Sequence, residues 1–359
     1  MKILNIASIK NSKGNGVHVV VPQYIIKQAE YVETAFVNVN GVEIDSIKDR
    51  QIQIDDISRF CDEVAEKWGT PDFVVFNEVN KIQYIKIYKQ LLKRGIPYII
   101  IPHGSLAEDA LKKKWLKKKV AYILFFNKFI RNAKAIQCLS QNEIDNIKIK
   151  TAEKFIATNG ITLPKVRKEE FSGEGMRLVY IGRLEMKVKG LDLMVDAITS
   201  INEICRARKI TLDIYGPDVY GRRNELEEYI SARGVGDIVK VHDPVYDGEK
   251  EKEYMSHDVF IQTSRHEGMP VGILETFSYG IPCIITDGTG LVGEMMAYGA
   301  GYGAGNSAES IANAITTALN EREEWINKGN NAIRLVKDRY LWDNIMNETI
   351  EEYSKIIKR

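Results

Sequence analysis

Residues 264–288 read SRHEGMPVGILETFSYGIPCIITDG, and within them two carboxylates, Glu267 and Glu275, stand on either side of a Gly-Met-Pro turn. The apolar run before Ser264 predicts a strand and the residues after Pro270 predict a helix. Free N–H groups near residues 270–273 are then expected at a helix start, where a phosphate or diphosphate is favoured. A carboxylate before that helix and another inside it can hydrogen-bond sugar or ribose hydroxyls on either side of the anion. By spacing alone, the pair reads equally well as two solvent-facing glutamates. A second segment, Gly182-Arg183 through Lys189-Gly190, also follows a predicted strand and precedes a helix. Arginine offers phosphate oxygens a planar fork and lysine a point charge, so the two can neutralise a diphosphate, with Lys187 competing for the second role and ordinary loop charge as the alternative.

Near the N-terminus a strand runs into the turn NSKGNG and then an apolar helical stretch, an arrangement that binds anions. Of the five histidines, His103 in IPHGS and His266 follow predicted strands; His18, His242 and His257 read as structural or solvent-facing. No three potential ligands have metal spacing and no Asp-x-Asp pair accompanies them, so no metal is expected. The four cysteines are widely separated, with no Cys-x-x-Cys pair, and read as buried small hydrophobes.

The elements that must position these residues alternate. Strands are predicted at 2–9, 32–38, 72–76, 97–101, 134–138 and 153–157, with helices at 17–29, 56–67, 81–94, 111–132 and 141–149. A polar, glycine-bearing stretch at 164–175 reads as a linker. Strands follow at 176–181, 210–215, 238–241, 258–262 and 282–286, with helices at 190–204, 222–232, 249–255, 272–279 and 307–320, and one or two helices at 336–357. At 359 residues with 44% hydrophobic and 28% charged content, the chain should form two α/β domains with largely parallel sheets. We place them at 1–165 and 176–335. Ligands are expected in a cleft between the carboxyl ends of the sheets. No apolar run is long enough to span a bilayer and the N-terminus lacks a secretory pattern, so a cytoplasmic protein is expected.

With EGMPVGILETFSYGIPCI, the Gly182–Gly190 loop and IPHGS in view, the sequence resembles the retaining glycosyltransferases of the glycogen-synthase-like family 4 type, which have the GT-B architecture of two facing Rossmann-like domains. The resemblance is strongest from Arg177 to Gly303. It implies a nucleoside-diphosphate-sugar donor without a further cofactor. Arg183 and Lys189 match diphosphate ligands, Glu275 the ribose-binding glutamate, and Glu267 the carboxylate at the donor sugar. Gly14 and Gly16 match a glycine loop closing on phosphate and sugar, and His103 a histidine facing the reaction centre. Loop backbone at Met269, Pro270, Val271, Gly272 and Ile273 matches the surroundings of sugar and phosphates. Two departures stand out: Pro270 lies where many members have glycine, removing an N–H, and the glycine loop reads GNG rather than adjacent glycines. The resemblance also implies that residues 336–359 return to the N-terminal domain.

Formal net charge is only +1, yet residues 86–134 hold 13 Lys/Arg against two acids. The block KKKWLKKK at 112–119 precedes VAYILFF, so residues 112–131 read either as a contact to an anionic membrane surface or as a basic helix packed in its own domain. A carbohydrate or lipid-linked carbohydrate acceptor, in surface-polysaccharide or glycoconjugate biosynthesis, is the family-guided expectation. A nucleic-acid partner is not expected, because no recognition module accompanies the charge. The competing readings are a sugar-nucleotide epimerase and a non-catalytic nucleotide-sugar binding protein.

Overall fold

The computed structural model describes residues 1–12, 16–106, 126–147, 153–219 and 221–358. The chain divides into two compact units, the first formed by Met1–Gly160 with Trp342–Arg359 and the second by Ile161–Leu341. Each is built on a parallel sheet in which most strands are short apolar runs, the exceptions being Glu153–Ile156, Ile210–Tyr215 and Val239–His242, which carry polar residues at exposed or half-buried positions. Such runs bury both faces, which is why they show little alternation.

In the first unit β1 (Lys2–Ala7), β2 (Glu33–Asn38), β3 (Phe73–Asn77), β4 (Tyr98–Ile101), β5 (Ala135–Cys138) and β6 (Glu153–Ile156) lie in the order β2-β1-β3-β4-β5-β6. Helices α1 (Gly16–Gln28), α2 (Phe60–Lys67), α3 (Ile82–Lys93), α4 (Asn127–Asn132) and α5 (Gln141–Asn146) fall between them. Tyr84, Tyr88, Tyr98 and Phe129 pack around Phe76, with ring centroids 4.9–6.2 Å apart in neighbouring pairs. The predicted strand 2–9 stops at Ala7, after which the Asn38 side chain takes over, accepting from the Ile9 N–H at 3.1 Å and donating to the Ile9 carbonyl at 2.9 Å. Of the predicted helix 111–132, the described residues include only its end; the basic block 112–119 and Gly14 lie outside them.

The second unit holds β7 (Met176–Ile181), β8 (Ile210–Tyr215), β9 (Val239–His242), β10 (Val259–Gln262), β11 (Cys283–Thr286) and β12 (Gly301–Ala304), in the order β12-β11-β10-β7-β8-β9. Its helices are α6 (Leu191–Ser200), α7 (Asn202–Ala207), α8 (Arg223–Ala232), α9 (Asp247–Ser256), α10 (Val271–Ser278), α11 (Val292–Tyr298), α12 (Ala308–Asn320) and α13 (Trp325–Arg339). Strand β12 and helices α11 and α13 go beyond the sequence expectation. Glycine is depleted in strands, but GYGA needs it. A Cβ on Gly301 would lie 2.7 Å from Met295 Sδ, and one on Gly303 2.8 Å from Val292 Cγ1, so the glycines let α11 pack directly on the strand.

Two boundaries differ from the sequence reading. Residues 164–175 are no free linker: the Lys168 N–H donates to the Tyr279 carbonyl at 2.7 Å, and Ser172 donates through its N–H and hydroxyl to the buried Asp258 carboxylate at 2.7 and 2.6 Å. The chain instead changes units at Gly160/Ile161 and at Leu341/Trp342. Where one or two helices were expected at 336–357, α13 ends at Arg339 and α14 (Trp342–Lys358) begins three residues later.

Helix α14 belongs to the first unit because its buried residues, Trp342, Ile345, Met346, Thr349, Tyr353 and Ile356, form one stripe at helical spacing. A Cβ on Gly160 would come within 2.8 Å of Trp342 Cα, so glycine is required where the two chain crossings meet. Deeper in, the Tyr353 hydroxyl donates to Gln137 Oε1 and lies 3.2 Å from the Tyr24 hydroxyl, while Gln137 Nε2 donates to the Ala157 carbonyl at 2.9 Å. Tyr353→Phe should therefore cost the first unit about 1–2 kcal/mol through the unpaired Gln137 oxygen, and Tyr353→Ala about 3–5 kcal/mol. Urea denaturation followed by Trp342 fluorescence measures both.

Candidate functional site

Gly182 opens the loop after β7. Its N–H donates to the Tyr215 carbonyl at 2.9 Å, and a Cβ there would meet the Tyr180 hydroxyl at 2.5 Å. Arg183, next in line, is partly exposed and pairs with Glu185 at 3.2 Å. The loop ends at Gly190, in the left-handed region (φ 65°), where a Cβ would collide with the Thr263 carbonyl. That close approach seats Lys189 against the β10 loop. The two candidate lysines part company here. Lys187, 79% exposed, pairs with Asp192, whereas Lys189, 14% exposed, reaches Glu267 Oε1 at 2.5 Å.

Glu267 is the most constrained carboxylate of the set. Its Oε1 accepts from Lys189 Nζ, from Gln262 Nε2 at 2.9 Å and from the Ser264 hydroxyl at 2.6 Å. Its backbone N–H donates to the Gly288 carbonyl at 2.9 Å. Burial pushes its pKa upward, but the charge and hydrogen bond of Lys189, the Ser264 hydroxyl and the charge of Arg183 together outweigh burial and hold the group below the ordinary carboxylate range. Glu267 is therefore an anion at neutral pH despite its burial.

Helix α10 starts without a side-chain cap. The N–H groups of Val271 and Ile273 are taken up by the carbonyls of Met269 and Pro270, at 3.0 and 2.9 Å, so the free donors expected across 270–273 reduce to that of Gly272 among the described residues. A Cβ on Gly272 would make only ordinary contacts, nothing closer than 3.9 Å. Glu275, one turn on, accepts at Oε2 from Lys250 Nζ and, at 3.3 Å, from the Tyr254 hydroxyl, both on α9.

Sequence reasoning did not assign Gln262, Ser264, Lys250 or Tyr254. A polar residue closing the apolar strand VFIQ was a usable signal for Gln262. Lys250 carried none, since only the packing of α9 brings it to Glu275. His266 makes no hydrogen bond with the other candidates. Among the described residues no three His, Cys, Asp or Glu side chains group as metal ligands would.

In the first unit Gly16 begins α1, with nothing within 4 Å of a Cβ placed on it. His103 follows β4 at φ 48°, a strained conformation for a side chain of its size, and Glu78, following the adjacent β3, has φ 68°. His103 Nε2 lies 3.0 Å from Asn77 Oδ1, and Asn77 Nδ2 donates to the Ile6 carbonyl at 3.4 Å. The amide orientation thus assigns the proton to Nε2 and leaves Nδ1 as an acceptor. The loop is pinned by the buried Glu143 carboxylate, which accepts from the N–H groups of Gly104 at 2.6 Å and Leu139 at 2.7 Å.

Burial lowers the His103 pKa to about 4. Because this lies below the unfolded value of about 6.5, the unfolded chain takes up a proton that the folded unit does not, and stability falls as pH drops from about 6.5 towards 4. His103→Gln should flatten that part of the stability profile, and the His103 ring signals in NMR should stay those of neutral imidazole from pH 8 to 5.

Residues 175–321 match the family of glycosyl transferases group 1. Mannosylfructose-phosphate synthase of Agrobacterium fabrum is 26% identical over 150 residues, covering 41% of this chain but only 32% of that enzyme. Sucrose-phosphate synthase of Thermosynechococcus elongatus superposes over the full length of both chains with a TM-score of 0.79 at 15% identity. Anabaena HepE in complex with UDP-glucose does so over 99% of this chain and 100% of its own, with a TM-score of 0.75 at 17% identity. The carboxylates, cations and helix start described for the second unit all lie inside the segment that matches glycosyl transferases group 1, in a chain with the two-sheet GT-B fold.

Proposed function

We propose that the chain transfers a glycosyl residue from a nucleoside-diphosphate sugar to an acceptor hydroxyl with retention of anomeric configuration. The observation that carries this reading is the convergence of Lys189, Glu267 and Arg183 in one loop cluster of the segment that matches group 1. In it, Arg183, Lys189 and the Gly272 N–H at the start of α10 receive the diphosphate, and Glu275 receives the ribose hydroxyls. Glu267 orients the donor sugar through its hydroxyls. As the glycosidic bond breaks, negative charge grows on the leaving diphosphate, and cations with a helix start stabilise it more in the transition state than in the ground state.

Retention is assigned to front-face attack, with the acceptor hydroxyl approaching on the side from which the diphosphate leaves. Glu267, held at Oε1 by three donors, is given an orienting and charge-stabilising role, with a covalent intermediate on its carboxylate as the alternative reading. His103, neutral and with no partner on Nδ1 among the described residues, suits accepting a hydrogen bond from a substrate hydroxyl. The roles of His103 and Gly16 rest on the family resemblance and on their own surroundings. HepE was solved with UDP-glucose, which makes that compound the first donor to test, followed by GDP- and ADP-sugars. The acceptor class we favour is a carbohydrate or lipid-linked carbohydrate of a surface polysaccharide or glycoconjugate, with residues 112–131 meeting an anionic membrane.

Product analysis tests the reaction: a new glycosidic linkage of retained configuration supports it, whereas an isomerised sugar nucleotide or an unchanged one overturns it. Arg183→Ala and Lys189→Ala should each weaken binding of the nucleoside diphosphate by about 1.5–3 kcal/mol, the lower end applying to the more exposed Arg183. Glu275→Ala should weaken binding of a nucleoside diphosphate but not of inorganic pyrophosphate. Gly272→Ala, unhindered in the protein, should keep its melting temperature and lose diphosphate affinity. Calorimetry on folded variants reads all four, and unchanged affinity in the Arg183 and Lys189 variants rejects their roles.

A further inference from the structure

We infer that Gln262 is a positioning residue for Glu267: with Ser264 it holds the Oε1 atom of that carboxylate, so that Oε2 stays presented to the donor sugar while Lys189 engages the diphosphate. The inference rests on the nucleotide-sugar reading of the site and adds to it a residue outside the charged set.

Gln262 is the last residue of β10 and is 5% exposed. A primary amide in that position needs partners for its hydrogens, and both are used: Nε2 donates to Glu267 Oε1 at 2.9 Å and to the Ser264 hydroxyl oxygen at 3.2 Å. Ser264, also buried, donates a hydrogen bond from its hydroxyl to the same Oε1 at 2.6 Å. With Lys189 the oxygen has three donors, while Oε2 has no partner among the described residues. Two of the three donors come from β10 and the residues just after it, and one from a lysine at the end of a loop.

These donors respond differently to an arriving ligand. A diphosphate outcompetes a single carboxylate for a lysine ammonium, which sits on a flexible four-carbon stem. Were Lys189 the only anchor, its turn towards the phosphates would leave a buried carboxylate free to rotate and to take up a proton. An uncharged amide fixed by a strand feels little of that pull. Gln262 and Ser264 thereby let Lys189 and Glu267 serve different parts of one donor, where a bare ion pair would oblige each to neutralise the other.

Gln262→Met keeps the length and volume of the side chain and removes both N–H groups. The charged or ionisable groups facing Glu267 are Lys189, Arg183 and the Tyr180 phenol, and all three remain in this variant. Three measurements on folded full-length protein test the inference: carbon-13 NMR titration of the Glu267 carboxyl without ligand and with UDP, calorimetry with UDP, and hydrolysis of UDP-glucose. In the variant, Glu267 should titrate at higher pH than in wild type, more so with UDP bound. UDP affinity should stay within about twofold of wild type, while kcat for hydrolysis falls about tenfold or more with KM little changed. Ser264→Ala should move the carboxyl titration in the same direction. An unaltered Glu267 titration in Gln262→Met overturns the inference, and so does a parallel loss of UDP affinity and turnover, which marks a structural role. If the wild type does not hydrolyse UDP-glucose, the donor assignment is what suffers, and the titration of the unliganded protein still decides the role of Gln262.

Discussion

A carboxylate buried at the end of a parallel strand must be compensated where it sits, and the geometry of the second unit follows from meeting that condition at Glu267. An unpaired buried charge would cost several kcal/mol or neutralise itself by taking up a proton. Compensation requires Lys189 to approach from a separate loop, and Gly190 permits that approach because no side chain fits against the Thr263 carbonyl. The β10 loop is clamped in turn: the Arg265 N–H donates to the Val188 carbonyl at 3.0 Å, the Thr286 hydroxyl to the Ser264 carbonyl at 2.8 Å, and the Glu267 N–H to Gly288. Arg265 adds a bidentate pair with the buried Asp192 at 2.6 and 3.0 Å, at the start of α6. Rigidity around one charge thus sets the positions of three loops, and a site held this way loses little order when it binds.

Glu275 is treated differently. It is 30% exposed, and its lysine and tyrosine partners come from one face of α9, four residues apart. A half-exposed pair of this kind is weakly held and exchanges readily with water or ligand hydroxyls. The contrast fits two tasks in one domain, with tight pre-organisation near the candidate sugar position and a looser, exchangeable carboxylate near the candidate ribose position.

The first unit stores strain at the carboxyl ends of β3 and β4. Glu78 and His103 both occupy the left-handed region, and the Glu78 N–H is tied to the Ile101 carbonyl at 2.8 Å. Such conformations cost about 1–3 kcal/mol each and persist only where surrounding contacts over-determine them. Here Asn77 and Glu143 supply those contacts, one at the imidazole and one at the next peptide N–H. The result is a neutral imidazole in a fixed orientation. Helix α14 adds to this unit by closing its core over Tyr24, Gln137 and Phe73, so the chain's last helix contributes to the stability of the sheet that bears His103.

By itself the sequence determined the two parallel α/β units, since buried strands are short apolar runs that need no alternation to be recognised. It also marked Arg183, Lys189, Glu267 and Glu275 as candidates, through their places around strand ends and a helix start and their match to a family motif, since spacing alone read equally well as solvated charge. Its spacing left Lys187 and Lys189 as alternatives, between which the family resemblance chose Lys189; that Lys189 is buried against Glu267 while Lys187 is exposed is a matter of the folded loop. It placed a linker at 164–175, where polar composition hid the anchoring of Ser172 on Asp258, a partner 86 residues away. It passed over β12, whose glycines lower strand propensity but are demanded by contact with α11 and β11. Tertiary structure alone decided which N–H remains open at the start of α10, and that Gln262, Ser264 and Lys250 stand against the two carboxylates. The physical reason is common to these cases: strand patterns are written in local apolarity, whereas hydrogen-bond partners and close backbone approaches are properties of segments that meet only after folding.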